Sequence, residues 1–142
     1  MNGTRYRSQL RTNVPGDTRV CGRFSDGLVG AAPEAMTVVE GKQYYATRTA
    51  PGTYKILFGS SSTNPDSFKG LVTFHATVLA ASSNVPANNR WVQVKSVDTN
   101  SNGTVASVTI VLVDKDGAVA SVATAGDQIL FECVVRPTEI LV

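Results

Sequence analysis

The sequence predicts an all-β fold, a β-sandwich or jelly-roll-like barrel of short antiparallel strands with an extended N-terminal arm. Three observations predict it. β-Branched residues are abundant, with 20 Val, 15 Thr and 4 Ile in 142 residues; such side chains lose χ1 freedom in a helix but fit a pleated surface. Apolar and polar residues alternate with a period of two over several stretches. Clusters of Gly, Pro, Asn and Asp separate those stretches at short intervals. No segment demands a helix longer than a turn or two.

Taken in order, residues 1–36 read as the arm, because Pro15, Gly16, Gly22, Gly27, Gly30 and Pro33 interrupt every potential period, leaving one short strand near Arg19–Phe24. Residues 37–142 read as the body, beginning with Thr37–Glu40 and Gln43–Thr49. In Thr53–Phe58 the apolar face is Tyr54, Ile56 and Phe58. In Leu71–Ala81 it is Val72, Phe74, Ala76, Val78 and Ala80, which puts Leu71 and Leu79 on the wet face with Thr73, His75 and Thr77. Arg90–Asp98 and Thr104–Asp114 follow, joined by Asn100-Ser101-Asn102-Gly103, whose Asn-Gly pair suits a tight hairpin. Thr104–Asp114 carries Val108, Ile110 and Leu112 on one face and Val111 and Val113 on the other. A strand apolar on both faces is central or lies at a subunit interface. Leu71, Leu79, Val111 and Val113 are therefore candidate interface residues, and a homotrimer is the expected assembly. Asp114-Lys115-Asp116-Gly117 is a turn, and Gln128–Arg136 closes the body with Ile129, Phe131, Cys133 and Val135 facing inward.

Length and composition fit one domain with one core. A hydrophobic share of 42% and a charged share of 17% exclude a disordered polyampholyte. No apolar run approaches the roughly 20 residues of a membrane-spanning helix. Arginines open the chain with no apolar stretch behind them, so no secretory signal is expected. The charge is uneven. Residues 1–24 hold Arg5, Arg7, Arg11, Arg19 and Arg23 against Asp17 alone, on a slightly acidic body. A basic leader of this kind reads as an arm that fastens to a neighbour, with Arg5, Tyr6, Arg7, Leu10, Arg11 and Arg19 as its candidate contacts. Direct nucleic-acid binding is not expected, since only Tyr6 interleaves an aromatic with those arginines.

No catalytic constellation is legible. His75 is the single histidine and lies on a polar strand face without a nucleophile elbow in the sequence. One His and two distant cysteines do not supply a zinc spacing. Asp114-x-Asp116-Gly117 begins like a calcium loop but lacks the later acidic ligands. Trp91, Tyr44 and Tyr45 are candidates for a sugar platform, against the commoner reading as core or interface aromatics. Cys133 reads as a small buried hydrophobe, and spacing alone leaves a bridge to Cys21 open. No metal, no cofactor and no enzymatic activity are expected.

Several stretches resemble the capsid decoration, or cement, proteins of tailed bacteriophages. They are Thr47-Arg48-Thr49-Ala50-Pro51-Gly52-Thr53-Tyr54-Lys55-Ile56, Val92-Gln93-Val94-Lys95-Ser96-Val97-Asp98, Val108 through Gly117, and Ala123-Thr124-Ala125-Gly126-Asp127-Gln128-Ile129-Leu130-Phe131. The leader Met1-Asn2-Gly3-Thr4-Arg5 with Ser8-Gln9-Leu10-Arg11 is similar to the leaders of such proteins. The resemblance implies a virion structural protein, made in the host cytoplasm, that binds the major capsid protein on the outer surface of an icosahedral head, commonly as a trimer. The alternative is a receptor- or glycan-binding head or fibre module of a virion. A fibre knob should follow a shaft of heptads or glycine repeats, which this sequence lacks.

Overall fold

The computed structural model describes residues 17–59, 66–81 and 90–136. Nine strands form in chain order: β1 (Thr18–Ser25), β2 (Glu34–Ala35), β3 (Thr37–Glu40), β4 (Tyr44–Ala50), β5 (Thr53–Phe58), β6 (Gly70–Leu79), β7 (Trp91–Thr99), β8 (Val105–Val113) and β9 (Gln128–Arg136). Two antiparallel sheets result, one of four strands in the order β3-β1-β9-β6 and one of five in the order β2-β4-β5-β8-β7. They face each other as a β-sandwich, as the alternation predicts.

The inward residues make one core. Val20 and Phe24 of β1, Ile129, Phe131, Cys133 and Val135 of β9, Tyr54, Ile56 and Phe58 of β5, and Val108, Ile110 and Leu112 of β8 are all buried within it. Phe131 is its aromatic hub. It meets the Tyr44 ring edge-on at 4.8 Å and stacks on Phe74 at 5.9 Å.

The boundary expected after residue 36 falls inside the sandwich. β1 lies between β3 and β9, paired with β9 from Thr18↔Val135 to Ser25↔Gln128. Gly22 reads as an interruption in the sequence, yet it sits within this strand for a packing reason. A Cβ there would lie 2.3 Å from Tyr44 Cε1 and 2.6 Å from Phe131 Cε1, so the two rings occupy the space a side chain would need. The body therefore begins by Thr18.

A second departure comes from a bulge. The β6 register shifts between Leu71 and Thr73, so that Leu71 pairs with inward Val135 and packs against the core while Val72 is exposed. One extra residue reverses the facing of everything before it. The hairpin between β7 and β8 also differs from a two-residue Asn-Gly turn. The Gly103 amide donates to the Asn100 carbonyl, the Asn100 amide donates to the Thr104 carbonyl, and Gly103, at φ 84°, takes the left-handed position of a three-residue loop. Cys21 and Cys133 are both free thiols. They sit in neighbouring strands but on opposite faces, Cys21 exposed and Cys133 buried, so no bridge joins them.

Candidate assembly surfaces

The two outer sheet faces are chemically unlike. On the four-stranded sheet, ion pairs cross the ladder: Arg19 with Glu132 at 2.5 Å, and Arg23 with Glu40 at 2.8 Å. At the end of β9, Arg136 pairs with Asp17 at 3.2 Å. His75, Glu132 and Cys21 lie side by side across β6, β9 and β1. They border a shallow depression of about 420 Å³ that also includes Arg23, Glu40, Thr77 and Leu130. Among the described residues no group of three or more His, Cys, Asp and Glu could hold a metal ion.

On the five-stranded sheet the outward ladder positions are Thr47, Lys55, Thr109 and Ser96 in one row, and Tyr45, Leu57, Ser107 and Asp98 in the next. Thr53, Val111 and Gln93 form a third row, and Val119, Val113 and Trp91 a fourth. Lys55 and Asp98 are the only charged side chains in these rows. Asp98 is spent internally, accepting from Ser107 Oγ and Thr109 Oγ1 at 2.8 Å each and from Ser96 Oγ at 2.9 Å. Burial alone would raise its carboxyl, but these three donors, with Lys55 nearby, hold it below the usual carboxylate range. The result is a nearly neutral face with Trp91 51% and Val119 54% exposed at one end. Val113, which pairs with both, is buried at 8% exposure.

A third region is the side where β6 and β7, the free edges of the two sheets, run together. A cavity of about 310 Å³ lies between them, lined by Phe74 and Ala76 of β6 and by Trp91, Val92 and Val94 of β7. There the core is not closed.

Buried charge elsewhere is structural. Asp26 Oδ2 accepts from the Tyr54 hydroxyl at 2.6 Å, and Oδ1 accepts from the Leu28 amide at 2.8 Å and from Arg48 Nη1. Arg48 Nη2 in turn donates to Glu34 Oε2 and the Gly30 carbonyl. Burial acts to raise the Asp26 carboxyl, but donors from Tyr54, Leu28 and Arg48 outweigh it and keep it below its ordinary value. Burial and the bond to Asp26 push the Tyr54 phenol up. The network ties the 26–34 loop to β4 and β5. Asp127 does similar work, accepting from the Ala81 amide at 2.7 Å and the Thr124 amide at 3.0 Å.

Of the residues expected to form interfaces, Arg5, Tyr6, Arg7, Leu10 and Arg11 lie outside the described residues. Arg19 is on the ion-paired outer face of the four-stranded sheet. Leu71 faces the core, Leu79 is exposed at the end of β6, and Val111 and Val113 lie on the outer face of the other sheet. The four residues therefore do not make one surface. Val111 and Val113 are themselves buried, at 8% exposure each, so the exposed apolar side chains on that side are Trp91 and Val119. The aromatic platform is not assembled: Tyr44 is buried in the core, while Tyr45 on β4 and Trp91 on β7 are separated by β5 and β8. The Asp114–Gly117 segment is a turn in which Asp114 Oδ1 accepts the Asp116 and Ala118 amides at 2.9 and 3.0 Å.

The described residues thus define an all-β sandwich with one charged, internally paired outer face and one nearly neutral one. No known family, no curated protein and no solved structure matches the chain. Among the described residues no helix is long and apolar enough to cross a membrane.

Proposed function

We propose that the chain is a non-enzymatic virion structural protein, a cement protein that decorates the outer surface of an icosahedral phage head and holds it across capsomer seams. The observation that carries this reading is the outer face of the five-stranded sheet, whose ladder rows hold only Lys55 and Asp98 as charges and end in exposed Trp91 and Val119. The sequence resemblance to decoration proteins supplies the partner, the major capsid protein. In this reading the neutral face lies against the shell and the ion-paired face looks to solvent. Each 100 Å² or so of apolar surface buried across a seam contributes roughly 2.5 kcal/mol before the costs of ordering. A seam cannot open without losing that contribution at many sites together.

Heads of the encoding virus, prepared without this protein, provide the test. Purified wild-type chain should co-sediment with expanded heads, and a Trp91→Lys, Val119→Asp variant should bind at least tenfold more weakly while melting normally. Absence of wild-type binding, or undiminished binding by the folded variant, contradicts the proposal.

A further inference from the structure

The residues expected to form a subunit contact do not supply one, since Val111 and Val113 are buried and Leu71 packs on the core. Among the described residues the longest unbroken apolar stretch on the surface lies instead in the loop between β1 and β2. Residues 27–33 read Gly-Leu-Val-Gly-Ala-Ala-Pro, and every one of them is exposed, Val29 at 88% and Leu28 at 40%. Loops ordinarily show polar side chains to water, and a run of exposed apolar residues is retained where something covers it.

The loop is also held in place. Asp26, buried at its base, accepts from the Leu28 amide at 2.8 Å, and Arg48 donates to the Gly30 carbonyl while pairing with Asp26 and Glu34. Leu28 is kept at φ 54°, in the left-handed region that a side chain of its size rarely occupies. Strain of that kind persists only where the surroundings fix it. A loop already fixed loses little further freedom when it is covered. On either side of Val29 in the chain, Leu28 and Gly30 line an open hollow of about 390 Å³, whose other walls are Ala31, Ala32, Pro51 and Ser121. Arg48 also lines it, with its charge already taken up by Asp26 and Glu34.

We propose that residues 27–33 are a self-association surface, on which Val29 of one copy enters the hollow beside the loop of a second. The occupant is a second copy because this surface carries both halves of the contact, a projecting apolar side chain and an apolar-walled hollow next to it. It also carries nothing to repel its like: residues 27–33 have no charge, and Asp26, Glu34 and Arg48 at their base are paired with one another. A bilayer is the poorer fit, since residues 26–36 include no Lys, Arg, Trp, Tyr or Phe to anchor at a lipid headgroup. A patch that meets itself is isologous and joins copies in pairs. A standard interface uses about 20–30 residues a side, so a contact centred on this one loop makes a reversible pair rather than a permanent one.

This proposal does not depend on capsid binding, and its test uses the purified full chain. Sedimentation equilibrium from micromolar to millimolar concentration should show monomer and dimer in exchange. Val29→Asp should weaken the dimer at least tenfold, with an unchanged circular dichroism spectrum because Val29 is no part of the core. In a Cys21→Ser background, Val29→Cys chains mixed with Ser121→Cys chains and treated with a short bis-maleimide should give a covalent dimer containing one of each. Val72→Cys, exposed at 50% on β6, should give far less with either. A chain that stays monomeric throughout, a dimer undiminished by Val29→Asp, or no mixed crosslink would each overturn the proposal. So would Val29-dependent binding of a monomeric chain to phosphatidylserine vesicles, which would make the occupant a bilayer.

Discussion

Replacing Asp26 by Asn keeps the shape of the side chain and removes the charge that faces Arg48. Both groups are buried, Asp26 1% and Arg48 5% exposed. Breaking a buried pair from one side costs about 3–5 kcal/mol, because the remaining charge stays out of water. Arg48 keeps Glu34 and the Gly30 carbonyl as acceptors, which places the loss near the lower end, about 3 kcal/mol. For a domain of this size that lowers the melting temperature by roughly 10 °C. Calorimetry and urea unfolding followed by circular dichroism read both quantities. The pH dependence gives a second check. The folded carboxyl of Asp26 lies below its ordinary value, so its contribution is complete above the unfolded value of about 3.9 and declines as pH falls from there through the folded one. The gap between wild type and Asp26→Asn should therefore be widest near neutrality and narrow below about pH 4. A loss under about 0.5 kcal/mol, the scale of an ordinary surface substitution, would refute the reasoning, as would a gap that stays constant into acid. Replacing both partners together, Asp26→Leu with Arg48→Met, should cost less than Asp26→Asn alone.

Other expectations follow from the same geometry. Gly22→Ala should destabilise the fold by about 1–3 kcal/mol, since its methyl group would meet the Tyr44 and Phe131 rings, and thermal melts will show it. Cys21 should react with a maleimide in the native state, whereas Cys133, buried and with its thiol pushed up to about 12, should react only on unfolding. Ile110→Ala, at a fully buried site opposite Tyr54, should cost about 2–5 kcal/mol by urea unfolding. His75→Gln and Cys21→Ser should each leave head binding within a few-fold of wild type.

Much of the sandwich was legible because its inward and outward residues alternate so regularly. Thr53–Phe58 and Gln128–Arg136 carry a period of two from end to end and form strands with those bounds. The double-faced apolar pattern of β8 also had a readable meaning, an interior strand between β5 and β7 that is buried on both sides. Other features were not visible in one dimension. The bulge at Val72 turns Leu71 inward, and nothing in Leu71-Val72-Thr73 announces it. Gly22 looks like a chain breaker until Tyr44 and Phe131 are seen filling its place. Asp26 and Arg48 are 22 positions apart and read as surface charges, because only the β4–β5 pairing and the 26–34 loop bring them together.

The most direct test of the central claim is a reconstruction of the virus head with this protein bound. The account predicts sandwich-shaped density on the outside of the shell, at threefold or quasi-threefold positions across capsomer seams. Trp91 and Val119 should lie against the capsid surface, and the Arg19–Glu132 and Arg23–Glu40 pairs should face solvent. Heads indistinguishable with and without the protein, or density that presents the ion-paired sheet to the shell, would contradict it.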